Sequence, residues 1–377
     1  MRSHVLHHLT DTSANALQTL IAARRRAAPQ AGLLALVAES EQDCVAPLQA
    51  ACRQLGMPLL GAIFPALIVD DELRDCGVWL IELDPMPAYG LLAALHTAET
   101  DAARLSAAVN PALGDDRPTL FMLLDAQLRH TASLLDALYL KLADRVHYLG
   151  VNAGSESFRP LACLFDATRR VDDGAGWLLL PPGIPTALEH GYPAPSQVMT
   201  ATSTVGNRIV AIDWEPAFEA YRRLIGSSYG IELNRDNFYR YATHFPVGIL
   251  RACNEVLVRI PVVLEDDGSL FCIGEVPANS VLTVLAAPPA GADCGLNRLL
   301  EHLGPPAPND ELLLFYCAGR RLHFDAYAQN ELAGLRAASG SRRLAGALSL
   351  GEIGGAGSDT YPLFHNAALV CARLPSP

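Results

Sequence analysis

The residue types that carry most enzyme chemistry are present in this sequence, but they do not occur at catalytic spacings. There is no phosphate-binding loop with its lysine and no His-Glu-x-x-His helix. The nine cysteines are scattered without a Cys-x-x-Cys pair, which indicates free, mostly buried thiols rather than a zinc site or a disulfide framework. Asp266 and Asp267 precede Gly268, which favours a hairpin turn over a catalytic carboxylate pair. The sequence therefore predicts a protein that is not an enzyme.

Some side chains have the chemistry to hold a ligand. Arg320 and Arg321 follow an apolar strand, where a guanidinium fork can bind a carboxylate, although such pairs are more often surface ion pairs. His190 lies in a proline-rich segment beside Gly191, where the backbone can approach a flat molecule, and His244 precedes an aromatic residue. The three histidines nearest the N terminus, His4, His7 and His8, are expected in solvent.

The elements that must position these residues repeat three times. An apolar strand is followed by an amphipathic helix and by a second apolar strand that ends at a glycine. The helices are predicted near residues 43–55, 131–143 and 326–338. Two apolar strands joined by a helical crossover form a βαβ unit, and ligands of open α/β sheets lie at the carboxyl ends of such strands. The glycines suggest close backbone contacts or turns at the strand ends.

Another pattern occupies residues 205–290. Short strands separated by turn signals predict an antiparallel insertion there, with a helix beginning at Pro216. The last strand is predicted at residues 365–371. The fold class is therefore α/β, with strand–helix–strand modules in mixed sheets and an antiparallel insertion in the second half. The predicted domains are residues 1–200 and 201–377.

The composition of the sequence limits the kinds of binding partner that can be expected. Of 377 residues, 50% are hydrophobic and 18% charged, and the formal charge is −12, which disfavours nucleic acid and anionic membrane surfaces as partners. The mean hydropathy is +0.20, yet no uninterrupted apolar stretch of about 20 residues occurs. The first residues do not resemble a signal peptide. These features predict a cytoplasmic protein.

Five segments of the second half resemble, in the same order, motifs of the FIST family of sensory modules. They are Glu-His-Gly-Tyr at residues 189–192, the Asp-x-x-Pro-Ala helix start at 212–221, Phe-Pro-Val-Gly-Ile at 244–249, Cys-Ala-Gly-Arg at 315–320 and Gly-Glu-Ile at 350–354. No segment is specific alone, but together they support the resemblance to FIST N and FIST C halves.

The first half resembles the family in layout more than in residues. Where typical members have a polar Gly-Cys-Ser/Thr segment, this chain has Ile63, Phe64 and Pro65, whereas Gly150 and Asn152 begin a segment that keeps the family's small, glycine-rich character. If the first segment lines a pocket, that pocket is more apolar than usual and suits a flat, apolar ligand.

The resemblance implies a stand-alone sensor similar to the NosP branch, which binds haem, responds to nitric oxide and regulates a separate histidine kinase. The predicted ligand-binding residues are His190, Gly191, Tyr192, Ile63, Phe64, Gly150, Asn152, Arg320, Gly351 and Glu352. Haem b would take His190 as its axial ligand, with His244 or the Cys317 thiolate as alternatives.

Three alternatives stay open at this point. The ligand could instead be an amino acid or another small carboxylate, held by Arg320 and the backbone near Gly351. An enzyme would need Glu352, Cys317 and His190 to converge in space. A homo-oligomer is also possible.

Overall fold

The structure, a computed structural model, contains the same order of elements three times. It describes residues 3–193, 197–251, 255–286, 288–289, 295–306, 310–355 and 361–374. The first repeat consists of β1 (Ser3–Leu9), α1 (Ala14–Ala27), β2 (Gly32–Ala38), α2 (Val45–Leu55), β3 (Leu59–Phe64), β4 (Leu67–Val69), β5 (Glu72–Arg74) and β6 (Val78–Asp84). The second consists of β7 (Tyr89–Leu92), α3 (Ala98–Val109), β8 (Thr119–Asp125), α4 (Thr131–Leu142), β9 (His147–Ala153), β10 (Leu164–Asp166), β11 (Arg170–Val171) and β12 (Ala175–Leu180).

The third repeat is interrupted by the antiparallel insertion. It opens with β13 (Thr186–Glu189). The insertion follows as β14 (Met199–Val205), β15 (Arg208–Ile212), β16 (Glu215–Pro216), α5 (Ala217–Tyr229), α6 (Phe238–Ala242), β17 (Val247–Leu250), β18 (Val256–Arg259), β19 (Pro261–Leu264), β20 (Leu270–Cys272) and β21 (Val281–Val284). The repeat resumes with α7 (Leu296–Leu303), β22 (Glu311–Cys317), α8 (Ala318–Phe324), α9 (Tyr327–Ser339), β23 (Arg343–Ser349), β24 (Glu352–Gly354), β25 (Leu363–His365) and β26 (Leu369–Leu374).

Each repeat builds one mixed sheet around a parallel pair. The strand orders are β1-β6-β2-β3-β10-β11, β7-β12-β8-β9-β24-β25 and β13-β26-β22-β23-β4-β5. Among the strands of the described residues, β2–β3, β8–β9 and β22–β23 are parallel and the other pairings are antiparallel. The insertion forms a separate antiparallel sheet, in the order β18-β17-β21-β14-β15-β20-β19 with β16 on β15. The α/β class, the repeated modules and the antiparallel insertion are thus confirmed.

The three repeats exchange hairpins in a cycle. The hairpin β4–β5 of the first repeat pairs with β23 of the third, β10–β11 of the second pairs with β3 of the first, and β24–β25 of the third pairs with β9 of the second. At the centre, the Phe315 ring lies 5.7 Å from the Phe64 ring and 5.8 Å from the Phe121 ring, centroid to centroid. Three rings from three different sheets therefore share one core.

Most predicted elements are found close to their expected positions. The helix expected near residues 43–55 is a short 3-10 turn followed by α2, which ends at Gly56 in the left-handed conformation (φ 62°). The hairpin around Asp266 joins β19 to β20. The strand expected at 365–371 was wrong, because a turn at Ala367 (φ 55°) divides that segment between β25 and β26. The glycines Gly61, Gly150 and Gly346 lie inside strands, not at their ends.

The N-terminal histidines were expected in solvent, but the structure buries them wholly or in part, because β1 pairs with β6 at the edge of the first sheet. His4 is only 2% exposed, and its Nε2 lies 2.9 Å from the Glu311 carboxylate. His7 and His8 are partly buried.

The seven cysteines in the described part of the chain are free thiols, and all except Cys76 are buried; Cys253 and Cys294 lie outside the described residues. Within the described residues, no helix is long and apolar enough to span a membrane.

Candidate functional site

A large cleft separates the second repeat from the antiparallel insertion. Its volume is about 600 Å³. The second repeat contributes the loops that follow β8 and β9, at the carboxyl ends of its parallel strands, where ligands of α/β sheets are expected. The opposite wall comes from α6, β19 and β20. Leu322 of α8 also lines the cleft. Ligand-sized cavities of proteins span roughly 300–1,000 Å³, so the cleft has room for a small organic molecule.

Local hydrogen bonds hold the loops of the second repeat in place. Both carboxylate oxygens of Asp125, the last residue of β8, accept backbone N–H groups, from Gln127 at 2.9 Å and from Asp173 at 2.9 Å. The loop after β9 is tied to α8 by an ion pair in which Arg321 donates to both oxygens of Glu156 at 2.7 Å. Side chains of β8, of α8 and of the loop after β9 thereby fix the edges of the cleft.

Apolar side chains form most of the cleft surface. The following large residues line it: Phe158, Tyr239, Val262, Ile273, Leu322 and Phe364. Phe158, Tyr239 and Leu322 are exposed at the rim. A smaller apolar extension of about 70 Å³ runs from the cleft to Cys317, Gly319 and Asn366. Burial raises the pKa of the Cys317 thiol, so this thiol stays protonated.

Asn152 lines this cleft and has a buried acceptor without a partner among the described residues. Its side chain is 2% exposed, and its Oδ1 has no hydrogen-bond partner among the described residues. The backbone of Asn152 is fixed on both sides, since its N–H donates to Gly351 at 2.8 Å and its carbonyl accepts from Leu350 at 2.9 Å. A buried acceptor without a donor costs about 1–3 kcal/mol, which a ligand donor would recover.

Arg129 supplies a cation at the same cleft. It is exposed and lines the cleft, and none of the ion pairs between described residues involves it. An unpaired guanidinium at the edge of an apolar cavity attracts an anionic group of a ligand.

Gly351 and Glu352 are neighbours of Asn152, since the Asn152 N–H donates to the Gly351 carbonyl and Glu352 pairs with Val151. Gly351 has a φ of 155°, and a Cβ atom there would lie 2.4 Å from the Phe364 ring, so only glycine fits. Glu352 is fully buried and accepts from the Ser349 hydroxyl at 2.5 Å and from the Ala368 N–H at 3.3 Å. Desolvation raises the pKa of Glu352 to about 8, so the carboxyl group is largely neutral at pH 7.

Arg320 is not placed to hold a ligand. Its side chain is fully buried, and it donates to both carboxylate oxygens of Glu331, at 2.9 and 2.5 Å. It also donates to the backbone carbonyl of His190 at 2.7 Å. The predicted carboxylate-binding role of Arg320 is therefore corrected: the guanidinium links α8, α9 and the His190 segment.

The His190 segment lies outside the cleft. The Glu189 carboxylate accepts the N–H groups of His190 and Gly191, each at 3.0 Å, and the His190 Nδ1 accepts from the Tyr192 N–H at 3.0 Å. The His190 ring stacks on His365 with centroids 6.2 Å apart. Burial lowers the pKa of His190 to about 4, which keeps the ring neutral. None of these residues lines a described cavity.

The other predicted residues divide between the core and the cleft flank. Ile63 and Phe64 are fully buried in the core, so the segment expected to give an apolar pocket packs between the sheets instead. Gly150 packs against Met122 and Ile353. His244 follows the cleft residue Thr243, and its Nδ1 lies 2.5 Å from Nδ1 of His323.

The structure therefore brings Asn152, Gly351 and Glu352 together. Glu352 is also paired in register with His365, on which the His190 ring stacks, and of these residues only Asn152 lines the cleft. The apolar wall of the insertion and Arg129 were missed. Only the position of Arg129, four residues after a parallel strand, carried a signal that could have found it.

A largely apolar cleft between two parts of one chain, with polar groups at some positions, has the character of a small-molecule-binding site. The family models of the FIST N domain and the FIST C domain match residues 30–215 and 217–355. The chain therefore belongs to the FIST family, whose domains are sensory modules of signal transduction that bind small ligands. No curated protein matches the chain.

Proposed function

We propose that this protein is a cytoplasmic sensor whose cleft binds a small, largely apolar molecule that carries an anionic group. The observation that carries the proposal is the Asn152 Oδ1, a buried acceptor without a donor among the described residues, on a side chain that lines a largely apolar cleft. The apolar walls supply affinity, Asn152 accepts one ligand donor, and Arg129 attracts the anionic group.

The two walls of the cleft explain how binding would be signalled. One wall belongs to the second repeat and the other to the insertion, and the Arg321–Glu156 ion pair links α8 to the loop after β9. A ligand that contacts both walls favours whichever arrangement of the walls it binds more tightly. A separate signalling protein that distinguishes these arrangements would receive the signal, and a histidine kinase is the partner that the family resemblance suggests.

A fluorescent aromatic sulfonate tests the site without knowledge of the natural ligand. We expect 8-anilinonaphthalene-1-sulfonate to bind the folded protein at one saturable site. Arg129→Met and Asn152→Ala should each weaken binding by about tenfold, the loss of one charge-assisted or buried hydrogen bond. Arg222→Met is the matched control, because Arg222 pairs with Glu219 on the exposed face of α5. Equal affinity in all four proteins would contradict the proposal.

Haem is a second candidate ligand, and one observation favours it. Of the two histidines predicted as axial ligands, His244 flanks the cleft, whereas His190 does not. Haem would supply the iron that binds nitric oxide; His244 would hold the iron and Arg129 would bind a propionate.

The absorption spectrum after addition of haemin separates the two candidates. The haem proposal predicts a Soret band that shifts in His244→Ala and is unchanged in His190→Ala. If no haemin is taken up while the aromatic sulfonate still binds, haem is excluded and the apolar-anion proposal stands.

A further inference from the structure

A separate cavity lies on the side of Phe364 that faces away from the large cleft. Its volume is about 200 Å³, and it opens between α4 and the antiparallel sheet. Phe364 lines both this cavity and the large cleft. Part of its wall is apolar, from Ile249, Leu257 and Leu363, and two arginines, Arg251 and Arg259, face the same space.

Arg259 is a buried cation without a carboxylate partner. It is 1% exposed, and among the described residues its guanidinium donates only to backbone carbonyls, those of Val258 and Glu275 at 3.0 Å and of Phe364 at 2.8 Å. None of the ion pairs between described residues includes it. Burial lowers the pKa of Arg259 to about 10, which still leaves it charged at neutral pH. Buried charges in proteins are normally paired in direct contact, whereas Glu275, whose charge raises the pKa of Arg259, forms no ion pair with it.

Arg251 adds a second positive charge at the mouth of the cavity. Its side chain is exposed, and its guanidinium carbon lies 5.8 Å from the centre of the Tyr361 ring. It too belongs to none of the ion pairs in the described part of the chain.

The two acidic residues at the cavity are engaged elsewhere. Glu275 accepts the backbone N–H groups of Ala132 and Ser133, at 2.7 and 3.2 Å, and so caps the N terminus of α4. Asp136 accepts from the Tyr361 hydroxyl at 2.8 Å. Neither carboxylate lies within 4.0 Å of the Arg251 or Arg259 guanidinium, so neither forms an ion pair with them.

We propose that this cavity binds a small carboxylate with a short hydrocarbon chain, held by Arg259 and Arg251. A carboxylate matches the planar guanidinium fork. With a volume of about 200 Å³, the cavity has room for a small carboxylate such as butyrate. The hydrocarbon chain would cover Ile249 and Leu257, which an inorganic phosphate would leave without an apolar partner. The proposal does not depend on what the large cleft binds.

Thermal unfolding with butyrate, at constant ionic strength set by chloride, tests the site on the full chain. A ligand that binds only the folded state raises the unfolding midpoint in a saturable way. We expect this rise with butyrate and not with inorganic phosphate, and we expect Arg251→Met to raise the dissociation constant by about tenfold or more. Arg222→Met, with the same change in charge on α5, should respond like the wild type.

Arg129→Met separates this cavity from the large cleft. If butyrate binds beside Arg259, this variant keeps the full response; loss of the response in Arg129→Met but not in Arg251→Met would place the carboxylate in the cleft and overturn the proposal. A wild-type protein without a saturable response, or with an equal response to phosphate, would also overturn it. Arg259→Met should abolish the response, and if it does not fold, Arg251→Met decides.

Discussion

The ionisation of the buried Glu352 carboxyl group affects the stability of the protein. Its pKa is raised by burial from 4.5 to about 8. Between these pH values the unfolded chain loses the proton and the folded protein keeps it, so stability falls by about 1.4 kcal/mol per pH unit as the pH rises. Below pH 4.5 both states are protonated, and above pH 8 both are ionised, so the slope ends there.

Replacing Glu352 by glutamine should remove this slope. We expect the free energy of unfolding of Glu352→Gln, relative to the wild type, to increase by about 1.4 kcal/mol per unit between about pH 5 and pH 7.5. Urea unfolding at several pH values measures it, and other titrating groups cancel in the difference. Glu219→Gln, on an exposed face, is the control and should give a flat difference. A flat difference for Glu352→Gln as well would show that Glu352 is ionised in the folded protein.

At the scale of elements, the parallel pair of the third repeat depends on a strand glycine. A Cβ atom on Gly346 of β23 would lie 1.6 Å from the Leu314 carbonyl oxygen of β22. Gly346→Ala must therefore separate the two strands, and we expect a loss of about 4 kcal/mol or more in the free energy of unfolding. Gly334→Ala, inside α9, is the matched control: its nearest neighbour would be 3.9 Å away, and a gain of about 0.5–1 kcal/mol is expected. Chemical denaturation compares them, and similar effects would contradict the argument.

The same elements show how much of the fold follows from the sequence. The strand–helix–strand modules could be predicted, because apolar runs and helical periodicity are local properties. The exchanged hairpins could not: β4 has only the three residues Leu67–Val69, and its partner β23 is far away in sequence. A strand of three residues is too short for a hydrophobic periodicity from which its pairing partner could be predicted.

The candidate site was predictable to a similar extent. Asn152 follows from the rule that ligands lie at the carboxyl ends of parallel strands. The prediction for Arg320 was wrong because no sequence pattern shows that Glu331, on the next helix, turns towards it. The apolar wall from the insertion was missed because it depends on how that sheet packs against the second repeat.

At the scale of the whole molecule, the hairpin cycle makes each half of the chain complete the sheets of the other. The second sheet needs β24, which lies in the FIST C part, and β25, which follows that part, and the third sheet needs β4 and β5 from the FIST N part. A FIST N fragment therefore leaves the edge of β9 unpaired, and exposed strand edges favour association. The core around Phe315 also loses one of its three rings.

We therefore expect residues 1–215, produced alone, to aggregate or to unfold at a lower temperature than the full chain. Co-production with residues 216–377 should restore a soluble complex, because the second fragment returns β24 and β25 to the edge of β9. Size-exclusion chromatography and thermal unfolding of the separate and combined fragments measure this. Double substitution of the β9 partners Glu352 and Ile353 by proline should prevent the rescue, since proline cannot donate to a strand. If the first fragment alone unfolds at the temperature of the full chain, the repeats are independent and the hairpin exchange adds no stability.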